Sequence, residues 1–206
     1  MDASFFKERA EGQEHIINAG LEVFSKMGYK KASVADIAAK AGLAKGMITY
    51  YFGSKKNLYA YLLELSIQTI GTEVETHVDA QVTDYFEKIK MLSQVKLSVM
   101  AKYPALNFFL ISIYSEKDPD VAELIQSFKD MGLEKRQAHL MSNIDLSKFK
   151  NPEDLAYLNR LIKWTSQGLV EDVSASGDMD TVATYTQEFF HYLDMLKQYF
   201  YQEDAL

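Results

Sequence analysis

The 206-residue chain has no cysteine. That excludes a disulfide framework and thiolate chemistry, and it agrees with a reducing compartment. Three prolines and ten glycines leave little room for a long disordered linker. No apolar run reaches the roughly 20 residues a membrane-spanning helix needs. The first residues, Met1 to Arg9, are polar and mixed in charge, without the apolar segment of a secretory leader. A cytoplasmic protein with no membrane partner is expected. There is no Gly-x-Ser-x-Gly elbow, phosphate loop or dinucleotide fingerprint. The four histidines, His15, His77, His139 and His191, are widely spaced, so no metal site is expected. Neither an enzyme nor a cofactor is anticipated.

What is present is ordinary in bulk and uneven in distribution. The chain is 48% hydrophobic and 25% charged, as in a globular protein. Its net charge of -7 argues at first against an anionic partner. Residues 1–60, however, hold nine Lys or Arg against six Asp or Glu, a net +3. The remainder holds 13 against 23, a net -10. A basic head on an acidic body favours one orientation at a polyanion and disfavours indiscriminate binding.

Within that head, residues 32–58 carry the clearest signal. Ser33 precedes Val34, Ile37 and Ala38, which share one helical face; it is a natural N-cap. Asp36 stands at the third helical position and can complete a capping box. Gly42 follows as a left-handed helix stop, with Leu43 as an apolar plug. The small residues Ala38, Ala39 and Ala41 let a second helix cross closely. That second helix spans about Ala44 to Tyr51. Ile48 and Phe52 lie four apart and should face inward. This leaves Lys45, Gly46, Met47, Thr49, Tyr50 and Tyr51 for the outer surfaces. Ser54 caps the next helix, and Lys55 in its first turn opposes the helix dipole, which an external phosphate would explain. Two short helices crossing through a glycine turn form a helix-turn-helix, which reads base edges and phosphates in duplex DNA. Ser33, Ala44, Lys45, Gly46, Met47, Thr49, Tyr50, Tyr51 and Lys55 are the candidate DNA contacts.

The stretch resembles the TetR family of bacterial transcriptional regulators. Ile37-Ala38, Ala41-Gly42-Leu43, Lys45-Gly46, Tyr51-Phe52 and Ser54-Lys55-x-x-Leu58 fall on that family's pattern. So do Ile16, Ile17, Ala19, Phe24 and Gly28-Tyr29 upstream. The resemblance covers about the first 60 residues. Four positions depart from it: Thr49 where an aromatic is usual, Ala44 where Ser or Thr often caps the helix, and Ala32-Ser33 for Thr-Thr. The first two imply an operator preference of the chain's own.

The rest of the chain reads as helices, giving an all-α fold of about nine. A DNA-binding domain is expected over 1–54 and a larger ligand-binding and dimerisation domain over 55–206. The first helix is expected from about Lys7 to Met27, stopped by Gly28, and the fourth from just after Ser54 to about Glu75. Another follows Asp84 to about Lys102. The apolar run from Ala105 to Tyr114 is read as a buried helix, since no partner strand exists. Asp118-Pro119 and Asn151-Pro152 each pair a cap with a proline at the first helical position. The resulting helices should reach about Met141, with a bend near Gly132, and about Val173. A loop is expected over Ser174 to Asp178, and a last helix to about Tyr201.

That last helix has two apolar stripes, so it should pack on two sides. With Gly168 in the preceding helix, it suggests a homodimer contact through Leu161, Gly168, Tyr185, Phe189, Tyr192 and Leu196. The resemblance implies a small-molecule effector in the body, for which Tyr103, Asn107, Ser112, Trp164 and Gln167 are candidates. The expected function is a ligand-responsive repressor that binds a palindromic operator as a dimer. The competing reading is a helical small-molecule-binding protein with a vestigial head.

Overall fold

The computed structural model describes residues 11–79, 81–176 and 179–205. Among them are nine α-helices and no β-strand. They are α1 (Glu11–Lys31), α2 (Val34–Ala41), α3 (Lys45–Phe52), α4 (Lys55–His77), α5 (Tyr85–Lys102), α6 (Pro104–Ser112), α7 (Pro119–Met141), α8 (Leu155–Ser176) and α9 (Met179–Phe200). The all-α expectation holds, and so does the helical reading of the apolar run after Pro104.

Most helix ends lie where local chemistry stops or starts them. The Asp84 carboxylate accepts the N–H groups of Phe86 and Glu87 and so caps α5. The Ser54 hydroxyl accepts the N–H of Asn57 and does the same for α4. α7 passes through Gly132 without interruption. Three ends differ from expectation, one of them at Gly28. Asn151-Pro152 opens a short 3-10 turn, Pro152–Asp154, before α8 begins at Leu155. α8 continues through Ser174 to Ser176, where a loop was expected. The expected start of the first helix at Lys7 lies outside the described residues.

Gly28 does not end α1 outright. Its φ of 71° and ψ of 168° break the helix, and one further turn runs on to Lys31. Side-chain-bearing residues hardly enter that region, so glycine is required there.

The chain falls into two compact units. One comprises Met1–Glu73 and Leu97–Glu134; the other comprises Val74–Lys96 and Lys135–Leu206. The first unit holds the helix-turn-helix and α6. Its aromatic centre joins Phe24 and Tyr29 of α1, Tyr59 of α4 and Phe109 of α6, all buried. Tyr59 meets Phe24 edge-on at 5.0 Å and Phe109 at 5.2 Å between ring centroids. Such T-shaped pairs add about 0.5–1.5 kcal/mol beyond area burial. The small Gly20 lets Leu62 of α4 approach closely; a methyl there would come within 3.1 Å of it.

The second unit is built on Tyr85, Phe86, Phe149 and Tyr201, together with Leu158, Ile162, Phe189 and Leu193 from α8 and α9. Asp84 anchors it electrostatically, with Lys148 at 3.0 Å and Lys197 at 3.2 Å from its Oδ2. Lys88 is buried but not orphaned. Its ammonium donates to the backbone carbonyl and hydroxyl of Ser142 at the C-terminal end of α7, where the helix dipole favours a cation.

Candidate nucleic-acid interface

The turn is assembled from reciprocal backbone bonds. The Ser33 hydroxyl accepts the N–H of Asp36 at 3.1 Å, and the Asp36 carboxylate accepts the N–H of Ser33 at 3.0 Å. The Ser33 hydroxyl and backbone N–H, both donating to Asp36, hold its carboxyl below the usual range. At the other end of α2, Gly42 adopts φ 68°, ψ 27°, the left-handed stop. Its N–H and that of Leu43 reach back to the carbonyls of Ala39 and Ala38. This closes the helix and aims the chain into α3.

Ala44 is the N-cap of α3 and supplies no side-chain hydrogen bond. The first amides of α3 are therefore without a side-chain acceptor, which leaves that end suited to an outside anion. On α3, Ile48 and Phe52 are buried against α1 and α2. Lys45, Gly46, Thr49 and Tyr50 are exposed, while Met47 and Tyr51 are half-buried. Tyr50 is 78% exposed, an unusual state for a large aromatic without an outside partner. Tyr51 turns back toward α1, where a methyl on Gly12 would lie 3.5 Å from its hydroxyl. A methyl built on Gly46 would meet nothing within 4 Å. Glycine at 46 costs the helix about 1 kcal/mol relative to alanine, and no packing among the described residues requires it. Lys45 forms no ion pair among the described residues, whereas Lys40 is held by Glu22 of α1 at 2.9 Å. That pairing keeps the Glu22 carboxyl below its ordinary value.

Lys55 has a different explanation from the one its sequence position suggests. Its ammonium donates to the carbonyls of Tyr29 at 2.9 Å and Ala32 at 3.0 Å, and lies 4.0 Å from the Tyr29 ring centroid. These internal acceptors account for a lysine that opposes its own helix dipole. Glu116 escaped sequence reading altogether. It accepts the N–H of Tyr29 from 87 positions away, and no local pattern marks it.

The candidate effector residues do not gather in one unit. Tyr103, Asn107 and Ser112 lie in the first and Trp164 and Gln167 in the second. Asn107 is buried, whereas Trp164 is 62% exposed. Among the candidate dimer residues, Phe189 is buried in the core of the second unit, with Leu196 packed against that core. Phe189 is covered within one chain and is withdrawn from the contact surface, whereas Leu196 is half-buried. Leu161 and Gly168 are exposed, and Tyr185 and Tyr192 are half-buried. Among the described residues, a methyl on Gly168 would meet nothing within 4 Å.

The family model described as "Bacterial regulatory proteins, tetR family" matches residues 16–62, the segment built by α1 to α4 above. The HTH-type transcriptional regulator AcrR of Shigella flexneri is 35% identical over 75 residues, 36% of this chain and 34% of that protein. The HTH-type transcriptional regulator BetI of Yersinia pestis is 31% identical over 68 residues, 33% of this chain and 34% of that one. The chain thus spans about a third of the length of the curated relatives it matches. Beyond that segment the likeness is one of fold. The SmeT–triclosan complex superposes with a TM-score of 0.74 at 14% identity, over 96% of this chain and 95% of that one. FadR of Bacillus subtilis in complex with stearoyl-CoA gives 0.62 at 19% identity, over 88% and 97%. Residues 16–62 thus carry the helix-turn-helix domain of the tetR family of bacterial regulatory proteins.

Proposed function

We propose that the chain is a ligand-responsive transcriptional repressor that binds a palindromic operator as a homodimer. The observation that carries this reading is the outward face of α3. Lys45, Thr49 and Tyr50 are exposed, and Gly46 leaves open space for a sugar-phosphate backbone. Lys45, Tyr50 and the first amides of α3 set register on phosphates, while Met47 and Thr49 read base edges and methyl groups. Ser33 and Lys55 hold the turn rather than the DNA.

Two half-sites one helical turn apart require two heads, roughly 34–36 Å from centre to centre. The exposed apolar residues of α8 favour that pairing. Tyr157, Leu161, Trp164 and Gly168 recur at intervals of three and four along one helical face, and the first three are exposed. Met195 and Tyr199 extend the exposed apolar surface on α9. Trp164 is accordingly assigned to self-association, with Tyr103, Asn107 and Ser112 retained for the effector. Triclosan in SmeT and stearoyl-CoA in FadR favour a hydrophobic effector class. Such a ligand would shift the population toward head spacings that no longer fit the operator.

An electrophoretic shift with the DNA flanking its own gene, at two salt concentrations, tests the reading. Sequence-specific binding that weakens with salt is expected. Its absence would leave a small-molecule binder with a vestigial head.

A further inference from the structure

Tyr29 is clasped from both sides. Its N–H donates to Oε2 of Glu116 at 2.5 Å, and its carbonyl accepts from the Lys55 ammonium at 2.9 Å. Glu116 lies in the connection between α6 and α7, and Lys55 begins α4. The other Glu116 oxygen accepts the N–H groups of Lys117 at 2.9 Å and Asp118 at 2.8 Å. Lys55 also holds the carbonyl of Ala32, the residue before the α2 cap Ser33. The ring of Tyr29 is buried, 5.2 Å from that of Tyr59, which in turn contacts Phe109 of α6. Gly28 makes room for the arrangement: a methyl there would lie 3.1 Å from Oε2 of Glu116.

We propose that Glu116 is a positioning residue for the DNA-reading helices. Its carboxylate and the Lys55 ammonium together fix the turn over residues 29–32, so the pose of the α6–α7 connection sets the pose of α2 and α3. All the groups belong to the first compact unit. The chemistry calls for a carboxylate. Three N–H donors converge on Glu116, and only an acceptor-only group satisfies all of them. A carboxamide would turn its own NH2 toward at least one donor. An effector that displaced α6 would act on the head through this link; that consequence rests on the regulator reading, while the link itself does not.

The experiment is hydrogen exchange on the full-length wild type and the Glu116→Gln variant. A charge-assisted bond of this kind is worth enough that its loss should speed exchange about tenfold or more. The rise is expected across residues 29–41, including α2 residues that Glu116 never touches, with α8 unchanged. A rise confined to residue 29 and residues 116–118 would reduce Glu116 to a local turn cap and overturn the proposal, as would no rise. Should Glu116→Gln unfold the chain, Lys55→Met removes the opposite clasp and carries the same expectation.

A second arm uses a duplex selected from a random pool by the wild type. Glu116→Gln should weaken binding about fivefold or more with an unchanged salt slope, because no phosphate contact is lost. Unchanged affinity despite raised exchange would sever the link from DNA reading and overturn the proposal. If the wild type selects no duplex, the regulator reading fails and exchange alone decides the link.

Discussion

The phenolic oxygen of Tyr201 accepts the backbone N–H of Tyr85 at 3.1 Å, joining residues 116 positions apart in the buried centre of the second unit. Tyr201→Phe keeps the ring but leaves that N–H without an acceptor. Thermal or urea unfolding should show a loss of about 1–3 kcal/mol. Tyr201→Ala also empties ring volume and should cost about 3–5 kcal/mol.

Gly28 is the position least able to accept a side chain. At φ 71°, ψ 168° even alanine is strained, and its methyl would crowd the Glu116 carboxylate at 3.1 Å. Gly28→Ala should destabilise by about 1–3 kcal/mol in urea titrations. Gly46→Ala, at an ordinary helical position with open space around it, should leave stability equal or higher. If it also weakens operator binding, the glycine is there for the DNA.

Lys45 and Lys55 should behave differently in binding assays. Lys45→Ala should weaken operator affinity across sequences and lower the salt slope by about one. Tyr50→Ala should weaken affinity with little change in slope, since the hydroxyl carries no charge. Lys55→Ala should show itself first as lost stability, because its ammonium serves the carbonyls of Tyr29 and Ala32. A reduced salt slope for Lys55→Ala would mean that it meets phosphate after all.

Acid should act on the second unit through Asp84. Burial pushes its carboxyl up, but the Glu87 N–H and the ammonium groups of Lys148 and Lys197 outweigh burial and hold it below the ordinary value. A group whose folded-state pKa is depressed stabilises above its unfolded value, about 3.9 for Asp, and loses that contribution as pH falls through the folded value. Stability followed by denaturation should therefore decline below about pH 4. Asp84→Asn should be less stable at neutral pH and show a shallower decline in that window.

Self-association is testable through the one tryptophan in the chain, Trp164, which is 62% exposed on α8. Its emission should shift to shorter wavelength as concentration rises through the dimer dissociation constant. Leu161→Glu should hold the chain monomeric in sedimentation, since a charge placed in an apolar contact loses its water without gaining a partner. Phe189→Glu should unfold the second unit instead, because Phe189 is core.

Features that depend on sequence neighbours were legible in advance. The Ser33–Asp36 box, the Gly42 stop, the Ser54 cap and the inward pair Ile48 and Phe52 each involve residues within four positions of one another. Partner choice across the fold was not. Lys55 is a free cation in any local window, and only the folded turn of α1 brings the Tyr29 and Ala32 carbonyls to it. Glu116 looks like one more surface acid until packing places it beside Gly28. The two stripes of α9 announced packing on two sides, yet their pattern does not say which side is core. Phe189 and Leu193 face inward, and Met195 and Tyr199 outward, because the second unit's aromatic centre lies on one side of the helix.

The two compact units also differ in when they can exist. The first is complete at Glu134, whereas the second needs Tyr201 at its centre. Chains emerge from the ribosome at about 5–20 residues per second and fold as units, N-terminal parts first. The nucleic-acid head and α6 can therefore close while the ribosome is still making α8 and α9. Through those seconds the apolar residues of the waiting segment, 74–96, have no finished core to enter, and this is the interval in which a nascent chain most needs a chaperone.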